Sequence, residues 1–140
     1  MRFLIVDDSE KHLKYLDEVL TSMGHEVAGI AHNGEDAVVA FRYLHPDAVV
    51  MDVIMPRMNG LEALAAIRRE DPAARVVMAC SLRSCQTALE SEQAGATYYL
   101  NKPFHEQRLR NVINRLAGNG RADRANGTGE PGRKVVGGTP

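Results

Sequence analysis

The chain has 140 residues, 44% of them hydrophobic and 25% charged, with a formal net charge of −1. This is enough for one domain with a sizeable core, and the balanced charge implies neither a nucleic-acid surface nor a polyanion. No apolar run reaches the roughly 18 residues of a membrane span, and MRFLIVDD lacks the long apolar core of a signal peptide, which favours a cytoplasmic, reducing compartment. Phe3 to Val6 is a short apolar run ending in Asp7 and Asp8 and reads as a buried strand. Ser9, a plausible N-cap, opens a helical pattern through Leu13, Leu16, Leu20 and Met23, stopped at Gly24. Glu26 to Ala31 is the next strand. Asn33-Gly34 breaks it, and Ala37, Val38, Phe41 and Leu44 mark a second helix ended by Pro46. Ala48 to Val53 is the third and most apolar strand. Pro56 to Gly60 is a loop, and Leu61, Leu64, Ala65 and Ile67 line a third helix that closes near Asp71-Pro72. Val76 to Cys80 is strand four, Ser84 to Ala94 a weak fourth helix, and Thr97 to Leu100 strand five. Leu109, Val112, Ile113 and Leu116 form the last helical stripe, which ends at Gly118.

Five strands alternating with five helices imply an α/β fold, a doubly wound parallel sheet with helices on both faces. In such sheets ligands bind at the carboxyl ends of the strands, near the point where strand order reverses. Residues 118–140 hold seven glycines and almost no large apolar side chain. They cannot bury enough surface to offset ordering entropy, so the expected organisation is one domain over 1–117 followed by a flexible tail over 118–140.

The carboxyl ends of the strands carry the chemistry. Asp7 and Asp8 follow strand one, Asp52 ends strand three, Cys80 and Ser81 follow strand four, and Lys102 and Pro103 follow strand five. Ionised carboxylates are almost never buried without a partner, so Asp52 inside VVMDVIMP requires a cation or an exposed strand tip. Three converging acids repel one another, and a hard divalent metal removes the problem. Magnesium takes oxygen ligands, with one or two carboxylates completed by waters, a carbonyl and a phosphoryl oxygen. The site therefore looks built for Mg2+ and a phosphoryl group together, and a carboxylate can itself be the nucleophile that forms an aspartyl-phosphate. Cys80 and Cys85 are too few and too close for a disulfide framework and read as small buried hydrophobes. The five histidines read as surface residues, none at zinc spacing from a cysteine.

Residues 1–117 resemble the receiver domain of two-component response regulators, of the single-domain, chemotaxis-regulator kind. The acidic pair Asp7-Asp8 matches, as do Asp52 in MDVIMPRMNG against D-x-x-M-P-x-M-x-G, Lys102 in NKPF against K-P-F, and Tyr99 at the switching aromatic. The resemblance implies a flavodoxin-like sheet of order 2-1-3-4-5. It implies that a sensor histidine kinase or histidine phosphotransfer protein donates a phosphoryl group to Asp52, the phosphoacceptor, and that Lys102 pairs with a phosphoryl oxygen. It implies Mg2+ held by Asp7, Asp8, Asp52 and the backbone carbonyl of Ile54, a cis peptide at Pro103, and an inward turn of Tyr99. The partner surface would be formed by the fourth helix, the fifth strand and the last helix. With no output domain expected, the signal would leave by protein contact.

One motif departs from the family pattern. Counting without gaps puts the usual Thr/Ser on Cys80 and the usual small residue on Ser81. A one-residue bulge would instead bring Ser81 into the hydroxyl role, and Ser81 is favoured because a thiol is the weaker hydrogen-bond partner. A phosphohydrolase of the haloacid-dehalogenase type, the alternative reading, needs a second acid two residues after its nucleophile, where this chain has Ile54. A flavodoxin-type binding module would need a Ser/Thr/Gly-rich phosphate loop where this chain has DDSE.

Overall fold

The computed structural model describes residues 1–81, 83, 86, 95–126 and 135–136, with 119–126 and 135–136 as backbone. β1 (Arg2–Val6) is followed by α1 (Glu10–Ser22), β2 (Glu26–Ala31), α2 (Gly34–Leu44), β3 (Ala48–Asp52), α3 (Gly60–Glu70), β4 (Arg75–Cys80), β5 (Tyr98–Asn101), α4 (Glu106–Asn126) and β6 (Val135–Val136). The weak helix expected over Ser84 to Ala94 lies almost wholly outside the described residues.

All strand pairs are parallel, and the sheet order is β2-β1-β3-β4-β5-β6. The first five strands thus follow the 2-1-3-4-5 order. Strand order reverses between β1 and β3, with β2 on the far side of β1 and β4 on the far side of β3, which places the switch point at the carboxyl ends of those two strands.

The apolar runs are apolar because both faces of the sheet are covered. Leu4, Val6, Val49, Met51, Val76, Met78 and Tyr99 pack on one side with Ala37, Phe41, Leu64 and Ile67 from α2 and α3. Phe3, Ile5, Val50, Val77 and Leu100 pack on the other with Leu13, Leu20, Leu109 and Ile113 from α1 and α4. Burying such a side chain contributes about 1.5–3 kcal/mol. The helix starts are capped locally: Ser9 Oγ accepts from the His12 N–H, Asn33 Oδ1 from the Asp36 N–H, and Asn59 forms a capping box with Glu62.

The end of the chain differs from the sequence reading. Helix α4 continues to Asn126, eight residues past Gly118, and a short strand lies beside β5. Gly118 and Gly120 each cost a helix about 1 kcal/mol, while Arg121, Ala122, Arg124 and Ala125 beyond them are among the residues that favour helix.

Candidate functional site

The switch point gathers side chains from three strand ends. The Asp7 carboxylate is almost fully buried (2% exposed), while Asp8 beside it is exposed. Asp52 ends β3 with its carboxylate 12% exposed. Carboxylate oxygens of Asp7, Asp8 and Asp52 all lie within 4.8 Å of one another. Lys102 Nζ stands 3.4 Å from Asp7 Oδ2 and 3.4 Å from Asp52 Oδ2. The lysine reaches back over the sheet edge from the end of β5, and the Lys102–Pro103 peptide is cis.

Local geometry holds these groups. Asp7 Oδ1 accepts the Ser9 N–H at 2.9 Å, which ties the acid to the cap of α1. The Ile54 backbone N–H favours the ionised form of the Asp52 carboxylate. Gly60, the glycine of the loop motif, starts α3 against the tip of β3, and its N–H donates to the Val53 carbonyl at 2.8 Å. A Cβ there would lie 2.9 Å from Val53 Cα and well inside contact with the Asp52 carbonyl oxygen. Only a glycine lets the helix start this close to the strand end.

Charge at the site is out of balance. Burial pushes the Asp52 carboxyl above the usual carboxylate range, Lys102 pulls it back, and the Asp7 charge pushes it up again. Three carboxylates face one ammonium, and the net effect on Asp52 is unfavourable to its ionised form. Additional positive charge of hard, oxygen-seeking character fits this cluster, as magnesium would supply.

His12 is a site residue that sequence reasoning passed over. Its Nδ1 lies 3.3 Å from Asp7 Oδ2 and 3.5 Å from Lys102 Nζ. The available signal was positional: His12 stands in the first turn of α1, three residues after the cap. A cleft of about 450 Å3 opens beside it, lined by Asp7, His12, Tyr15, Leu16, Lys102 and Phe104 among others.

Cys80 and Ser81 lie at the end of strand four. The β3–β4 register runs without interruption from Ala48↔Arg75 to Asp52↔Ala79, so β4 has no bulge against β3. Cys80 is buried on the same sheet face as Tyr99, and Ser81 is exposed just beyond the strand. The Lys102 N–H donates to the Cys80 carbonyl at 2.6 Å. Cys80 is buried, as a small hydrophobe would be, but it is disulfide-bonded. Tyr99 is fully buried, and its hydroxyl accepts the Gly95 N–H at 3.3 Å.

Comparison with known proteins gives this geometry a family. The model of the response regulator receiver domain matches residues 3–114. The chain belongs to the response regulator receiver family. The chemotaxis protein CheY of Thermotoga maritima is 37% identical over 116 residues, covering 83% of this chain and 97% of the relative. CheY of Bacillus subtilis is 36% identical over 114 residues, covering 81% and 95%. Among solved structures, the CheX-CheY-BeF3-Mg+2 complex from Borrelia burgdorferi superposes with a TM-score of 0.75 at 31% identity, covering 84% of this receiver and 88% of that chain. This is a CheY-type receiver of two-component signalling, a class of signalling switches rather than enzymes that turn over external substrates. No helix among the described residues is long and apolar enough to cross a membrane.

Proposed function

We propose that this receiver accepts a phosphoryl group on Asp52 from the phosphohistidine of a sensor histidine kinase or histidine phosphotransfer protein. The observation that carries this reading is the placement of Lys102 Nζ 3.4 Å from carboxylates of both Asp7 and Asp52, beside the clustered Asp8. An Asp52 oxygen attacks phosphorus, the P–N bond breaks, and the imidazole leaves as a neutral ring once it holds a proton. Lys102 pairs with a phosphoryl oxygen. Asp7, Asp8, Asp52 and the Ile54 carbonyl would hold Mg2+, which when bound neutralises phosphoryl oxygens as the group transfers. The cleft lined by Tyr15, Leu16 and Phe104 offers an apolar wall beside the path to Asp52, suited to a donor's side chains.

Phosphorylation would be read at the residues after β4 and by Tyr99, and the surface around β5 and α4 would change its affinity for a downstream protein. The working unit is the receiver over residues 1–117; beyond it α4 runs on to Asn126 and Val135–Val136 pair with Tyr99 and Leu100 of β5. Ile54 is 64% exposed and carries no polar atom, which disfavours phosphohydrolase turnover.

The test is incubation of the full chain with phosphoramidate, itself a P–N donor, with and without magnesium. Expected is one phosphoryl group per chain, only with the divalent ion, lost on treatment with hydroxylamine as an acyl phosphate is. A label that resists hydroxylamine, or none at all, would overturn the proposal.

A further inference from the structure

The site's one ammonium sits at the end of a flexible stem, so its position is set by the partners that hold it. Lys102 Nζ has three N–H donors and no acceptor. Two partners belong to the acid cluster: Asp7 Oδ2 and Asp52 Oδ2, each 3.4 Å away. A third polar atom within reach is His12 Nδ1, at 3.5 Å.

His12 Nδ1 also lies 3.3 Å from Asp7 Oδ2. A neutral imidazole has one ring N–H, so Nδ1 can donate to Asp7 or accept from Lys102, but not both at once. Hydrogen-bond demand decides between them. Both Asp7 oxygens already have donors, the Ser9 N–H on Oδ1 at 2.9 Å and Lys102 Nζ on Oδ2. Asp7 needs no further donor. A hydrogen on Nδ1 would instead meet the ammonium hydrogens of Lys102. The network thus assigns the Nδ1 lone pair to Lys102 and the ring hydrogen to Nε2.

His12 differs from the two acids in what else it has to do. Phosphorylation uses an Asp52 oxygen, and Asp7 belongs to the cluster suited to a divalent ion. His12 has neither duty. It stands in the first turn of α1, whose start is fixed by the Ser9 cap on the His12 backbone N–H.

We propose that His12 is a positioning residue for phosphorylation: its Nδ1 holds the Lys102 ammonium beside the Asp52 carboxylate while that carboxylate forms its bond to phosphorus. The proposal rests on Asp52 as phosphoacceptor. His12 acts through Lys102 and takes no part in making or breaking bonds.

The experiment compares three substitutions in the full chain. His12→Leu and His12→Ala remove the acceptor. His12→Asn keeps a polar atom at the same number of bonds from Cβ as Nδ1. None disturbs the Ser9 cap, which uses the backbone. Asparagine is a poorer helix former than leucine or alanine, so a merely structural role would make His12→Asn the slowest of the three. Positioning makes it the fastest. Each variant, shown to be folded by circular dichroism, is phosphorylated with phosphoramidate and magnesium. Expected are rates about fivefold or more below wild type for the two apolar variants, and within about twofold of wild type for His12→Asn. Either apolar variant suffices if the other does not fold. A wild-type rate in an apolar variant, or His12→Asn as slow as the apolar variants, would overturn the positioning role alone. Unlabelled wild type would overturn the Asp52 reading and this proposal with it.

Discussion

Gly60→Ala is a one-methyl change that tests how the phosphoacceptor strand is held. In an ordinary helix this substitution gains up to about 1 kcal/mol. Here the added Cβ would sit 2.9 Å from Val53 Cα, 2.8 Å from the Met78 methyl, and far inside contact with the Asp52 carbonyl oxygen. The Met78 methyl can swing away, but the two backbone atoms cannot move without shifting β3 against α3. Overpacking of this kind costs about 1–3 kcal/mol, and the close approach to two backbone atoms puts this site toward the upper end, so the net loss after the propensity gain should be about 1–2 kcal/mol. With a denaturant slope of about 1.5 kcal/mol/M, the urea midpoint should fall by roughly 1 M. Because the strain falls on the peptide of Asp52 itself, phosphorylation by phosphoramidate should slow by about tenfold or more, a misplacement of about 1 Å being worth up to a hundredfold. Urea melts followed by circular dichroism and a phosphorylation time course read both effects. An unchanged or raised midpoint would show that α3 does not press on the β3 tip, and the reasoning would fail.

The pH dependence follows from the raised Asp52 carboxyl. A carboxylate whose folded value lies above its unfolded value binds its proton more tightly when folded, so stability falls as pH rises from the ordinary value of 3.8 through the raised one. In chelator, Asp52→Asn should therefore be more stable than wild type at neutral pH and lose that advantage in acid; melts across pH check this, and a less stable variant at neutral pH would refute it. Magnesium at ten times its dissociation constant should stabilise the wild type by about 1.4 kcal/mol, and Asp8→Ala should need more of the ion for the same gain. Ile54→Asn, which puts a water-orienting group beside Asp52, should hasten loss of the label roughly tenfold, equivalent to about 1–2 kcal/mol in the barrier, with Ser81→Ala acting in the same direction; unchanged decay in both would sink this account of the lifetime.

Most of the site could be read in the sequence because each of its acids and its lysine follows a short apolar run. Once Phe3–Val6, Ala48–Met51 and Tyr98–Leu100 are strands of one parallel sheet, Asp7, Asp8, Asp52 and Lys102 must emerge at the same edge. The cap at Ser9 was equally legible, because capping is decided within three residues, whereas Asn33 was read only as a strand break and Asn59 only as part of a loop. Contacts that depend on angles between elements were not. His12 meets Asp7 and Lys102 only because of how α1 sits on the sheet and where the chain returns after β5. The spacing of Cys80 and Ser81 depends on strand register, which no local pattern encodes: β4 pairs with β3 without interruption as far as Ala79, and Cys80 pairs with Asn101 of β5. The end of α4 was not legible because Gly118-Asn119-Gly120 reads as a helix stop, yet the helix runs on to Asn126. The disulfide at Cys80 escaped the reading because short cysteine spacing was weighed as a framework question rather than as a local one.

The most direct measurement is site-resolved mass spectrometry of the full chain after phosphoramidate and magnesium, wild type beside Asp52→Asn. Phosphorylation at Asp52 requires one modified residue in the wild type, Asp52 itself, and none in the variant, whose circular dichroism spectrum should remain that of the folded chain. Undiminished labelling of folded Asp52→Asn would contradict it.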